Sequence, residues 1–182
     1  VDDPGGGMIP ERLTDDTTGP ERDGHEFRYH LARGFMKPGQ MVLDLACGTA
    51  YGAAIVAGHG SSVVRYLGVD REALPLRCCP YHRTIRADLM DWTTVAPFHV
   101  GLSFETIEHL PDYAPLVATL KQAQRWILAS VPVVPTVGHN PWHLHDFAPG
   151  DLVDLFQDQD WRCFQLIDQP SEVSQVAVFC RR

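Results

Sequence analysis

The stretch MVLDLACGTAYGA, residues 41–53, decides the fold. Apolar residues alternate with others up to Asp44, small residues then crowd together, and a helix-forming run follows. That order reads as a β-strand, a tight turn and a helix. The small residues Ala46, Gly48, Ala50 and Gly52 let a ligand approach backbone N–H groups at a helix start. Neither G-x-G-x-x-G nor G-x-x-x-x-G-K-[ST] is present, so a dinucleotide or a phosphate-loop nucleotide is not the expected ligand. Asp44, just ahead of the turn, would repel a pyrophosphate and suit a ligand bearing an ammonium or sulfonium.

Working outward, strands and helices alternate. VVRYLGVD, TIRADL, HVGLSFE and WILASVPV read as strands, and GHEFRYHLARGF, YGAAIVAGHG, REALPLRCCPYH, APLVATLKQAQ and GDLVDLFQDQ as helices. WRCFQLID and QVAVFC close the chain as two strands without a helix between them. The expected fold is therefore α/β: a Rossmann-like, doubly wound, mostly parallel sheet with an antiparallel C-terminal edge pair. Ligands of such sheets bind beyond the carboxyl ends of the strands. The positions there are residues 44–52, Asp70, Asp88, residues 103–109 and the loop 132–149. Asp70 is placed to accept ribose hydroxyls, and Asp88 to accept from an adenine amino group. Together with Asp44 they call for an adenosine joined to something positively charged.

The bulk composition narrows the partners. Residues 1–24, rich in Gly and Pro, form an expected flexible segment ahead of a single domain over 25–182. The net charge of −8, with no run of Lys or Arg, disfavours nucleic acid and anionic membrane as partners. No apolar run reaches the roughly 20 residues of a membrane span. The five cysteines lack zinc-ligand spacing and read as reduced thiols, which points to the cytoplasm. Cys47 reads as a small buried residue rather than a nucleophile.

VLDLACGTAYG, GVDRE, ADL and LSFETIEHL, in that order, resemble the class I S-adenosylmethionine-dependent methyltransferases, in particular the small single-domain type. The resemblance covers about residues 26–182 and implies S-adenosyl-L-methionine as cofactor. It implies that Asp44, Ala46, Cys47, Gly48 and Gly52 cradle the methionine part, with Asp70 and Arg71 at the ribose. Asp88 and Leu89 would hold the adenine, and Ser103, Phe104 and Glu105 would line the site beneath the methyl group. Ala46 and Ala50 stand where many members have glycine. If Ala50 needs φ > 0, it is strained.

The implied activity is methyl transfer to oxygen or nitrogen of a small molecule such as a sugar, lipid or metabolite. His109 and His143 are the candidate general bases. His143 and His145, two apart, share a face if their segment is extended. The acceptor pocket is expected from the N-terminal segment, the loop 132–149 and, in a homodimer, a neighbouring subunit, with Trp142 and Phe147 as candidate apolar walls. Two other readings stand beside this one. ETIEH followed by HLHDF resembles the RNA 3′-terminal 2′-O-methyltransferases, where Glu105, Glu108, His109 and His143 would hold a divalent ion. A non-catalytic relative of the fold is the third, kept open by Ala50.

Overall fold

The computed structural model of the chain describes residues 17–57, 64–72, 82–94, 96–169 and 173–182. Helix α1 (Pro20–Arg33) precedes β1 (Met41–Leu45), α2 (Gly52–Ala57), β2 (Arg65–Asp70) and β3 (His82–Arg86). Then come β4 (Val100–Phe104), a 3-10 turn (Ile107–His109), α3 (Ala114–Leu120), β5 (Trp126–Pro132), α4 (Asp151–Phe156), β6 (Trp161–Gln169) and β7 (Ser174–Arg181). The seven strands form one sheet in the order β3-β2-β1-β4-β5-β7-β6. β1 to β5 pair in parallel, whereas β7 runs antiparallel to both β5 and β6. The expected architecture is therefore the observed one. The strand order reverses between β1 and β4, and the crevice of such a switch point is where ligands bind.

Side-chain alternation along β1 sorts the two layers. Leu43 and Leu45 join a core with α3 and α4 through Leu116, Leu120, Leu152 and Phe156. Val42 joins the opposite core with α1 and α2 through Tyr29, Ala32, Ala53 and Val56. Asp44 shares the parity of Val42 and so points at α1. Among the described residues no helix is long and apolar enough to cross a membrane.

Several boundaries differ from expectation: β3 covers 82–86 rather than the 84–89 of TIRADL, and three helices shift. α1 begins at Pro20, inside the segment read as flexible, because proline at the helix start and Glu21 and Asp23 in the first turn suit a helix N-terminus. α3 and α4 are shorter than their sequence patterns. Lys121 caps α3, and at Gln157 the backbone turns extended, ending α4. The expected helix beyond Glu72, with Cys78 and Cys79, lies outside the described residues.

Candidate functional site

One cavity of about 730 Å³ opens along the carboxyl ends of the strands. Its walls come from the β1 turn (Ala46, Cys47, Gly48), the β2 end (Asp70, Arg71) and Asp88 and Leu89. Phe104 and Glu105 at the end of β4, Glu108 and His109, and the loop residues Thr136, Asn140, Trp142 and His143 complete it. α1 contributes Glu21, His25 and Tyr29.

The β1 turn is held by backbone. The N–H groups of Ala46 and Cys47 both donate to the Val69 carbonyl, at 2.8 and 3.2 Å. Gly48 N–H donates to Asp70 Oδ2 at 2.9 Å, and Glu72 N–H donates to Asp70 Oδ1 at 2.8 Å. Asp70 thus pins the turn and still lines the cavity. Three turn residues are left-handed: Ala46 (φ 63°), Gly48 (φ 56°) and Ala50 (φ 60°). A Cβ on Gly48 would meet nothing within 4 Å, so its backbone lies open to a ligand. The strain expected at Ala50 is present, and Ala46 shares it. Cys47 is buried, and burial followed by the charges of Asp44 and Asp70 pushes its thiol far up, as suits a packing residue.

Two expected cradle residues face elsewhere. Asp44 is 1% exposed and does not line the cavity; its Oδ2 accepts from Tyr29 Oη at 2.9 Å and Tyr66 Oη at 2.5 Å. Burial outweighs these two bonds and raises its carboxyl to about 7. Its neighbour across β2, Gly68, is glycine because a Cβ there would lie 2.6 Å from Cys47 Sγ and 2.9 Å from the Tyr66 ring. Gly52 is glycine because a Cβ would sit 2.2 Å from the Tyr29 ring. Both residues therefore fasten α1 to the sheet rather than face the cavity. Ser103 is also off the cavity, fully buried on the opposite face of β4 from Phe104.

Arg71 and Asp88 line the cavity as an exposed pair 4.0 Å apart. Asp88 Oδ1 also accepts from Met90 N–H at 3.0 Å, the local turn bond expected of an Asp there. Glu105 takes a left-handed φ of 47°. Its Oε2 accepts from Ser174 Oγ at 3.0 Å, and its Oε1 lies 3.3 Å from Nη2 of the fully buried Arg28. Arg28 Nε donates in turn to Gln169 Oε1 at 2.8 Å.

Across the cavity the loop 133–147 packs on the 3-10 turn. The Glu108 carbonyl accepts from the N–H groups of Leu144 (2.7 Å) and His145 (3.3 Å). His109 Nδ1 lies 3.0 Å from the Trp142 carbonyl. A carbonyl only accepts, so Nδ1 carries the proton and Nε2 keeps its lone pair. The His109 and His143 rings meet edge to face at 4.6 Å, and His109 Nε2 lies 3.8 Å from Glu108 Oε1. One ligand atom from each of Glu108, His109 and His143 lies within 4.8 Å of the others. The structure brings these three together and leaves Glu105 outside the group, turned to Arg28.

His145 does not share the face of His143: its Nε2 lies 2.8 Å from the Leu110 carbonyl, and its ring stacks edge-on against Tyr113. The segment is a folded loop, not an extended strand, which defeats the two-residue alternation. Phe147 is buried in the core and anchors the loop, while Trp142 lines the cavity. His25, Arg28 and Tyr29 were not among the expected site residues, since a helical pattern alone does not show which face meets a ligand. Burial, then the charges of Arg28 and Arg22, holds His25 neutral by lowering its pKa to about 3.

Neither a protein-family model nor a curated protein matches the chain in sequence. Solved structures match its fold. The N-methyltransferase NodS from Bradyrhizobium japonicum WM9, in complex with S-adenosyl-L-homocysteine, is 12% identical with a TM-score of 0.68 over 91% of this chain and 89% of its own. The [4+2]-cyclase SpnF is 11% identical, with a TM-score of 0.68 over 87% of this chain and 81% of its own. The small RNA methyltransferase HEN1 is 15% identical, with a TM-score of 0.65 over 97% of this chain and 27% of its own. The chain has the fold of the class I S-adenosylmethionine-dependent methyltransferases.

Proposed function

We propose that this chain transfers a methyl group from S-adenosylmethionine to a hydroxyl of a small-molecule acceptor. The observation that carries the reading is a single cavity with an open backbone turn and Asp70 on one side and His109, His143 and Glu108 on the other. The residues suit the cofactor. The exposed backbone of Gly48, with Ala46 and Cys47, would hold the methionine part, Asp70 the ribose, and Asp88 with Leu89 the adenine. Bound there, S-adenosylmethionine supplies a sulfonium methyl already activated by its own charge. The chain's residues supply alignment and a base. His109 presents an unprotonated Nε2, which suits removal of a hydroxyl proton, and Glu108 beside it favours the resulting imidazolium. Leu110, Pro111, Val134 and Trp142 would give the acceptor an apolar wall.

The test is a calorimetric titration with S-adenosylhomocysteine in chelator-containing buffer. Micromolar binding is expected. No heat at two temperatures sinks the cofactor reading and with it the activity, leaving a non-catalytic relative of the fold.

A second reading is favoured by the grouping of Glu108, His109 and His143: a divalent ion held for methylation of a ribose hydroxyl at an RNA end, as the likeness to a small RNA methyltransferase suggests. The donor set of one carboxylate and two imidazoles fits Mn²⁺ or Mg²⁺. Glu105, ion-paired with Arg28, would not complete it. On this reading Mn²⁺ raises the melting temperature of the wild type but not of Glu108→Ala. An unchanged melting temperature of the wild type leaves the small-molecule reading alone.

A further inference from the structure

Helix α1 walls the cavity with one side and carries an apolar stripe on another. Glu21, His25 and Tyr29 line the cavity. Phe27 and Leu31, also four positions apart but offset by two, share a different side of the helix, and their line continues to Phe35 just past its end. The last strand of the sheet, β6, runs alongside. At one end of this seam Gln169 Oε1 accepts from Arg28 Nε at 2.8 Å, and Gln169 Nε2 donates to the Gly24 carbonyl at 3.3 Å. At the other end the Phe164 and Phe35 ring centres lie 6.0 Å apart, with the Trp126 ring 4.9 Å from Phe35 and 5.4 Å from Phe164. Phe27 is 42% exposed and Phe164 53%, while Leu31, Phe35, Trp126 and Ile167 are half-buried. Single exposed apolar side chains are ordinary, but a continuous run along one seam marks a contact surface.

The charges beside the stripe indicate what covers it. Asp23 stands near the start of α1, and Arg33 and Lys37 stand at and beyond its end, all three exposed. That polarity also suits the helix dipole, so the charges alone would not point to a partner; the stripe between them does. Two copies of this helix laid side by side in opposite directions set Asp23 of each near the Arg33 end of the other. The same arrangement sets Phe27 of each near Leu31 of the other, whereas parallel copies would bring like charges together. A two-fold axis makes both sets of contacts at once.

We propose that this seam is the interface of a homodimer, formed by antiparallel packing of α1 on α1 of a second copy, with Phe164 extending the contact along β6. Each copy then braces, from outside, the helix whose inner side walls the other copy's cavity. The proposal goes beyond the methyl-transfer reading and does not rest on it.

The experiment is sedimentation equilibrium of the full chain, with reducing agent present, from about 1 to 100 µM. A dimer is expected in that range. Phe27→Ser should raise its dissociation constant about tenfold or more, because both copies lose a ring from the contact. Asp23→Lys and Arg33→Glu each place like charges together at both ends of the helix pair, and each alone should weaken the dimer about fivefold. An equimolar mixture of these two variants restores opposite charges at both ends and should associate as tightly as the wild type. If Phe27→Ser fails to fold, the two charge variants, on the exposed side of the helix, still decide. A wild type that stays monomeric throughout overturns the proposal. So does a dimer indifferent to Phe27→Ser, or a pair of weakened charge variants that mixing fails to restore. No cofactor or acceptor enters the measurement, so failure here is distinct from failure to bind S-adenosylhomocysteine.

Discussion

On one side of the cavity, the turn 46–50 takes its shape from backbone: two N–H groups share the Val69 carbonyl, and three alternate residues, Ala46, Gly48 and Ala50, take left-handed φ. On the other side, the loop 133–147 takes its shape from side chains: Asp146 and Asn140 accept from backbone N–H groups within the loop, and His109 and His145 bond carbonyls across the junction with the 3-10 turn. The difference teaches where each half is vulnerable. The turn stores strain in two alanines, and one side chain, Asp70, pins it. The loop depends on side chains that a single substitution removes. Between the two halves lies α1, which reaches Asp44 under the turn and Glu105 at the β4 end.

The largest effect is expected where α1 joins both halves. Arg28 is 0% exposed and is the charged partner of Glu105. Arg28→Met should lower the unfolding free energy by about 3–5 kcal/mol, the cost of breaking an ion pair whose guanidinium is fully buried together with its bond to Gln169. Urea denaturation measures it, and a loss below about 1 kcal/mol would show that solvent reaches Glu105 easily.

Asp44 comes next and tests the cradle half alone. Its folded carboxyl titrates at about 7 while the unfolded value is 3.8, so the folded state binds more protons in between. Stability from this group is therefore full below the unfolded value and falls as pH rises from about 4 to 7, by up to roughly 4 kcal/mol. In Asp44→Asn that contribution vanishes. The difference between the two stability-versus-pH curves should slope through this window, and parallel curves would mean that burial does not control Asp44.

Smaller still is the strain in the turn, where two alanines should answer differently. Left-handed backbone costs alanine about 1–2 kcal/mol relative to glycine. Ala46 is only half-buried, so Ala46→Gly should gain about 1 kcal/mol. Ala50 is 2% exposed, and loss of its buried methyl, worth about 0.8 kcal/mol, should cancel most of the gain in Ala50→Gly. Equal gains from both would break this account of the turn. The smallest effect belongs to the loop: Asp146→Ala should change global unfolding by less than about 0.5 kcal/mol, because an exposed staple to the Thr136 and Val137 N–H groups stabilises its loop rather than the core.

The same contrast explains what the sequence disclosed. The strand, turn and helix at β1 are local, so MVLDLACGTAYGA was readable as those elements, and their alternation along the chain indicated the sheet and its antiparallel end. The position of Asp70 and Gly48 at the strand ends, on the cavity wall, was legible for the same reason. Asp44 was not, because its surroundings depend on Tyr29 and Tyr66, 15 and 22 positions away. Gly52 was read as a ligand-facing glycine although its space is filled by a tyrosine of α1. The grouping of Glu108, His109 and His143 was anticipated only through resemblance. The loop bonds that create it, such as His109 to Trp142 across 33 positions, leave no periodicity in the chain.

The buried row from Gly24 and Arg28 to Gln169 also bears on the order of assembly. Arg28 and Gln169 are 141 positions apart, and Gln169 Nε2 closes back on the Gly24 carbonyl at 3.3 Å. During synthesis α1 emerges early, yet its guanidinium finds its Gln169 acceptor only when β6 has left the ribosome. Contacts of such long range form late and slowly. A nascent chain stopped before β6 would therefore carry a helix with its inner face unsettled, and would be the species most exposed to chaperones.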